Sequence, residues 1–352
     1  MISPILILRR KSQGHPPNLQ SNEEWALAPN VDPVRLNTKV GATSASHVAT
    51  ASVNSNRMKG LTVRAPAKLN FHLDVLGKRE DNYHQIQSVV QTITLCDTLH
   101  FEQKQSPGIR VICEHPDVPP DENNLVYQAA HAFVQLVGLH IGIEITLKKH
   151  IPVTAGLGGG SADAAATLLA LNHLFQTGIP FSTLLHYGSK LGADVPFCLI
   201  RGTALVKGKG DLVYPLPPLK QGWFVLVFPR IAVSSSWAYQ HLRYHQYQQG
   251  SPYRLRLSQL RNAIQARQVQ AIGELMYNRL EEVVTTRFPL IQAVKQEFMR
   301  NGARRVLMSG SGSTVFAVLD RHEQARILAE RMRSSGQVYV ARPTVDGVSR
   351  VG

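Results

Sequence analysis

From Leu61 onward apolar and polar positions alternate, first in LTVRA and then in LNFHLDVLG, the period of two that predicts half-buried strands. TITLCDTLHFEQ, IRVICE and IGIEITLKK continue as further strands. Between the last two, LVYQAAHAFVQLV at 125–137 repeats its apolar residues at helical spacing, with Asn123 or Asn124 placed to cap it. A second helix is predicted over 161–175, and a shorter one over 184–191 that stops at Gly192. TALVKGKGDLVYPL reads as a hairpin turning at KGKG. PLPPLKQG at 215–222 interrupts both periods and is the predicted joint between two domains. Beyond it come strand WFVLVFP, helices over 257–269, 272–285 and 289–301, strands ARRVLMSG and TVFAVLD, a helix over 322–334 and strand VYVARP. Strands alternating with helices on antiparallel or mixed sheets predict an α+β sandwich. The expected domains are 58–218 and 219–346.

Residues 1–57 carry neither period. Acid-poor and Ser-rich, they read as an organelle transit peptide or as a disordered tail upstream of a true start at Met58, and composition favours the second. The length of 352 residues leaves room for two cores, and no apolar run reaches the ~18 residues a membrane helix needs. A cytoplasmic protein without a membrane partner is expected, or a plastid one if the extension is a transit peptide. The formal net charge of +14 raises nucleic acid as a partner. Its basic residues, however, fall in short clusters such as Arg9-Arg10-Lys11, Lys148-Lys149 and Arg304-Arg305, with no nucleic-acid motif. The field suits small phosphate-bearing molecules better. Three cysteines, Cys96, Cys113 and Cys198, lack metal-ligand spacing and read as small core residues, so no metal held by protein ligands is expected.

The strongest chemical signal is PVTAGLGGGSADAAATLLALNHLF at 152–175. Glycines at 156, 158, 159 and 160 let backbone N–H groups approach a bound group, and the helix that follows points its positive end at the same spot. Ser161 and Asp163 are placed to cap that helix. A mobile glycine linker is the plainer reading, but linkers do not need a capped, Ala-rich helix behind them. Neither GxxxxGK[ST] nor GxGxxG is present, so this phosphate cradle is of another lineage.

The chain resembles the GHMP kinase superfamily, named for galactokinase, homoserine kinase, mevalonate kinase and phosphomevalonate kinase. Three motifs carry the likeness in the expected order: APAKLNFHLDVLG (65–77), PVTAGLGGGSADAA (152–165) and LMSGSGSTVFAV (307–318). Within the superfamily, REDNYHQIQSVVQ and LGADVPFCLIRGTALVKGKGD look like the diphosphocytidyl-methylerythritol kinases. The resemblance implies an N-terminal ribosomal-S5-domain-2-like α/β unit and a C-terminal ferredoxin-like α/β sandwich, with the active site in the cleft between them. It implies transfer of the γ-phosphoryl group of ATP to the 2-hydroxyl of 4-diphosphocytidyl-2-C-methyl-D-erythritol, in the non-mevalonate route to isoprenoids. Mg²⁺ is expected with the ATP, and a monomer or weak homodimer is expected. A GHMP kinase for homoserine, mevalonate or a sugar, or a silent nucleotide-binding relative, are the rival readings.

By the same resemblance Asp194 is the general base that takes the proton of the attacking hydroxyl, and Lys68 stabilises charge on the transferring group. Read alone, Asp194 is a helix N-cap before Val195-Pro196 and Lys68 a solvated strand lysine. ATP would lie on Val153, Thr154, Ala155, Gly156, Leu157, Gly158, Gly159, Gly160, Ser161, Ala162 and Asp163, with Asn124 and Lys149 nearby, although capping and a solvated strand end explain those last two nearly as well. Asn70 would line the methylerythritol site, Tyr83 would stack on cytosine and His84 would hydrogen-bond its edge. Tyr239 or Trp237 would complete the aromatic sandwich. The loop Ser309 to Ser313 would pack on the phosphate loop, and a plain hairpin turn is its alternative. At Thr154 the chain departs from relatives that carry glycine or alanine there, so nucleotide contacts at that position are in doubt.

Overall fold

The computed structural model describes residues 60–138, 140–242 and 252–345. The expectations for 1–57 and for a start at Met58 lie outside them. The order is β1 (Gly60–Lys78), β2 (His84–Lys104), β3 (Gly108–Cys113), α1 (Leu125–Val137), β4 (Gly142–Lys148), α2 (Gly159–Leu174), α3 (Phe181–Leu191), α4 (Val195–Ile200), β5 (Thr203–Gly208) and β6 (Leu212–Leu216). Then follow β7 (Trp223–Phe228), α5 (Ser235–Gln240), α6 (Pro252–Gln265), α7 (Val269–Leu275), β8 (Tyr277–Asn278), α8 (Glu281–Arg287), α9 (Pro289–Arg300), β9 (Val306–Met308), β10 (Val315–Leu319), α10 (His322–Arg331), a 3₁₀ turn and β11 (Gln337–Ala341). The fold is α+β.

Among the described residues there are two sheets. The first is mixed, in the order β3-β4-β2-β1-β8, with β5 paired to β2 and β6 to β5. The second is antiparallel, in the order β11-β7-β10-β9. β2 is long enough to carry β5 on its first half and β4 on its second. β8 comes from beyond the predicted joint yet pairs in parallel with His72 and Leu73 of β1.

The two runs LTVRA and LNFHLDVLG form one strand, because Pro66 sits where the register with β2 slips instead of ending the pairing. The slip has a consequence for facing. Leu61, Val63 and Ala65 join the core beneath α1–α4, whereas Ala67, Leu69 and Phe71 join the core shared with Phe224, Leu226 and Phe316 of the second sheet. Odd positions have therefore changed faces, and Lys68 and Asn70 are turned away from that second core. A third core lies on the far face of the second sheet, with Val284, Ile291, Phe298 and Leu328.

The helix expected over 272–285 is broken. Its apolar spacing is helical, but α7 stops at Leu275, β8 intervenes and α8 starts at Glu281. The buried Asn278 amide is the cause: it makes three hydrogen bonds to backbone groups, which a continuous helix would forgo. Smaller shifts follow local chemistry. α6 ends at Gln265 and Arg267 turns left-handed before α7, α3 starts at Phe181 directly after Pro180, and the last helix closes in the 3₁₀ turn Arg333–Ser335.

Candidate active site

A cleft of about 900 Å³ runs between the glycine loop, β1, the β5–β6 turn and the start of α5. Lys68 stands in its floor, with a side chain 6% exposed, so the solvated-lysine reading is overturned. Its Nζ donates to Asn70 Oδ1 at 2.7 Å and lies 3.3 Å from Asp194 Oδ2. Asn70 Nδ2 donates in turn to Ser88 Oγ at 2.8 Å, and Ser88 donates to the carbonyl of His72 at 2.6 Å. The chain of donors fixes the Asn70 amide orientation and leaves its oxygen to the lysine. Asp194 stands at the N-cap position of α4 without making a side-chain cap, so its carboxylate is left to Lys68 and, at 42% exposure, to the cleft.

The glycine loop passes over this pair. Gly158 has a left-handed φ of +70°, and a Cβ there would stand 3.0 Å from Lys68 Cε and 3.6 Å from Asp194 Oδ2. Gly156, also left-handed, touches the 309–313 loop so closely that a Cβ would collide with the Ser309 carbonyl. Ser309 Oγ donates to the carbonyl of Gly156 at 3.0 Å, and Thr314 N–H to that of Ala155 at 3.2 Å. The 309–313 segment is thus both a β9–β10 turn and a buttress of the glycine loop. α2 begins two residues earlier than expected, and Gly158 is its N-cap, with no side-chain cap bond. Capping by Ser161 and Asp163 is therefore corrected: the first-turn N–H groups are left open to a ligand, as a phosphate site requires. Thr154 is exposed, with φ +52°, and its hydroxyl donates back to the carbonyl of Val153.

Behind the loop lies a buried ion cluster that corrects the reading of Lys149 as a solvated strand end. Lys149 Nζ reaches Asp97 Oδ2 at 2.5 Å and Asp163 Oδ2 at 2.8 Å. Asp97 also accepts the N–H groups of His150 and Ile151. Burial opposes the lysine charge, but the two carboxylates outweigh it and hold its pKa above the ordinary value. Burial, helped by Asp97 and resisted by Lys149, pushes the Asp163 carboxyl up to about 8. Asn124 caps α1 through Val126 N–H and donates to the Pro119 carbonyl, while still lining the cleft.

At the other end Tyr83, His84 and Tyr239 line the wall. The His84 and Tyr239 rings stack 5.0 Å apart, whereas Trp237 packs on His241 and Phe288 outside the cleft lining. Burial, then Lys78, lowers the His84 pKa, which keeps the imidazole neutral at physiological pH. Lys209, which the sequence reading missed, holds its ammonium 4.9 Å above the Tyr83 ring at the tip of the KGKG turn. Gly210 of the same turn packs on Ala193, the residue before Asp194. A lysine between two turn glycines was the available signal, yet nothing local shows that the turn faces the cleft. Asp97 was missed too; a lone acid in the apolar run TITLCDTLHF was its trace. Among the described residues no cluster of three or more His, Cys, Asp or Glu could hold a metal ion, and no helix is long and apolar enough to cross a membrane.

The model of the GHMP kinases N terminal domain matches residues 124–202 and that of the GHMP kinases C terminal domain residues 260–338. A 4-diphosphocytidyl-2-C-methyl-D-erythritol kinase of Citrifermentans bemidjiense is 42% identical over 82% of this chain and 100% of its own length. One of Enterococcus faecalis is 39% identical over 79% of this chain and 97% of its own. A crystal structure of a 4-(cytidine 5'-diphospho)-2C-methyl-D-erythritol kinase superposes with a TM-score of 0.68 at 33% identity, covering 80% of this chain and 98% of that one. A homoserine kinase from Cytophaga hutchinsonii reaches a TM-score of 0.69 at 22% identity, over 84% of this chain and 98% of that one, a likeness of fold alone.

Proposed function

Because the chain belongs to the 4-diphosphocytidyl-2-C-methyl-D-erythritol kinase family of GHMP kinases, we propose that it moves the γ-phosphoryl group of ATP to the 2-hydroxyl of that cytidyl alcohol. The product would be the 2-phosphate, as a step of isoprenoid synthesis by the non-mevalonate route. One observation carries the reading: Lys68 and Asp194, 126 residues apart in sequence, meet 3.3 Å from each other directly beneath Gly158 of the phosphate loop.

The triphosphate would lie on the open N–H groups of 155–161, with the adenine end toward Leu125, Leu147 and Asn124. Asp194 would accept the hydroxyl proton as the oxygen attacks phosphorus. Lys68, held by Asn70, would stabilise the negative charge that develops on the transferring group while ADP leaves. Tyr83, His84 and Tyr239 would receive the cytosine, and a neutral His84 can both donate to and accept from its edge. The Lys209 ammonium would face the diphosphate linker. Among the described residues the lining offers Ser161 and Asp194 as hard oxygen donors and no cluster of three acids, so magnesium would be held mainly on the nucleotide's phosphates, where it would neutralise their charge.

The test is coupled ADP release with the cytidyl alcohol, homoserine and mevalonate as acceptors. Turnover should be confined to the first, and Asp194→Asn should lower it by about 10²-fold or more while ATP still binds. Near-normal turnover in that variant would remove the base assignment, and preference for another alcohol would remove the substrate.

A further inference from the structure

We infer that Asn278 is a positioning residue for phosphoryl transfer, locking the 309–313 loop onto the lysine that compensates the transferring charge. The inference rests on the functional reading above for Lys68.

Asn278 is 5% exposed and its amide is fully committed. Nδ2 donates to the carbonyls of Met308 at 2.8 Å and Gly310 at 2.7 Å, and Oδ1 accepts the N–H of Leu280 at 3.0 Å. One of those bonds ends on Gly310 in the loop that buttresses the phosphate cradle, and another on Met308, the last residue of β9 immediately before it. The segment around Asn278 is itself anchored to the strand that bears Lys68, since β8 pairs with His72 and Leu73 and Arg279 N–H donates to the Leu73 carbonyl at 2.8 Å. Glu281 adds a third tie by accepting the Met308 N–H at 2.9 Å.

What the loop touches gives the tie its meaning. Gly310 lies so near the site that a Cβ on it would stand 3.2 Å from Lys68 Nζ, 3.3 Å from Asn70 Oδ1 and 3.0 Å from the Gly156 carbonyl. Gly310 is therefore the roof over the lysine–asparagine pair, and Asn278 holds its carbonyl. Asn suits the task where Asp does not. Two carbonyls need two donors, and a carboxylate of the same shape would present acceptors to both. A side chain from another element thus supplies donors to two backbone carbonyls at and beside the turn.

Asn278→Asp and Asn278→Ala would be purified and compared with the wild type for ATP-dependent turnover, nucleotide affinity and melting. Release of the roof lets Lys68 Nζ drift, and we expect kcat to fall by about 10- to 100-fold with the KM for ATP little changed, since misplacement of about 1 Å has that effect on reacting groups. Combined with Lys68→Ala and followed in single turnovers, Asn278→Asp should produce little further loss, because the residue acts through the lysine. Gly310→Ala, which leaves Asn278 in place and presses a methyl on Lys68, should give the same fall in kcat even if the Asn278 variants do not fold. Loss of equal factor with and without Lys68, or variants that melt earlier but turn over normally, would overturn the inference. A wild type that phosphorylates no alcohol overturns the reading beneath it as well.

Discussion

Substituting Gly158 by alanine isolates the closest approach in the site. The residue holds φ +70°, where an L side chain costs about 1–2 kcal/mol. Its new Cβ would stand 3.0 Å from both Cγ and Cε of Lys68. Carbon atoms rest comfortably at about 3.5–4.0 Å, so the lysine stem must retreat by roughly 0.5–1 Å and carry Nζ with it. Such a displacement of a reacting group lowers the rate by about 10- to 100-fold. Gly138, the C-cap of α1, supplies the control: its φ is +64° and nothing lies within 4 Å of its Cβ position. Gly138→Ala should therefore lose the same stability of about 1–2 kcal/mol in a urea titration, without loss of turnover. Coupled ADP release on both variants decides the matter. Equal kcat in the two, at matched loss of stability, would show that Gly158 serves only the backbone and that Lys68 does not need its place.

His72 gives a pH prediction. Burial first, and Arg256 second, lower its pKa from 6.5 to about 4. Between those values the unfolded chain binds a proton that the folded one refuses, so stability is complete above pH 6.5 and is lost as pH falls toward 4. The loss is on the order of 3 kcal/mol, and His72→Leu should flatten the acid limb of a stability profile measured by denaturant melts. An unchanged slope would mean that other groups set it. Lys209→Ala should raise the KM for the cytidyl alcohol roughly ten-fold, for the loss of one charge-assisted contact, and leave the KM for ATP alone, as steady-state kinetics would show.

Local chemistry was legible wherever it decided the structure. The helix Leu125–Val137 and its Asn124 cap follow from spacing and a side-chain acceptor at the right place. The KGKG turn follows likewise from glycine. Lys68 and Asp194 were legible only through the motifs that hold them, since nothing in the 125 intervening residues states that they meet. Asn278 was hidden for the opposite reason: the apolar period around it is helical, and the bonds that break the helix reach residues 30 and 32 positions away. Lys149 and Asp97 share that difficulty, because a strand-end lysine becomes buried only when an acid 52 residues earlier faces it. Trp237 and Tyr239 were not separable by type; the turn of α5 puts one into the cleft and the other against Phe288.

The hairpin between β5 and β6 carries Lys209 at its tip and rests Gly210 on Ala193. On the proposed function, the turn that presents Lys209 to the acceptor is packed against the residue before the proposed base. A variant that lengthened this bend to admit a bulkier alcohol would drag the aspartate with it and forfeit speed. On the proposed function, side-chain exchange at position 209 with both flanking glycines kept would change the enzyme's appetite without dulling its chemistry.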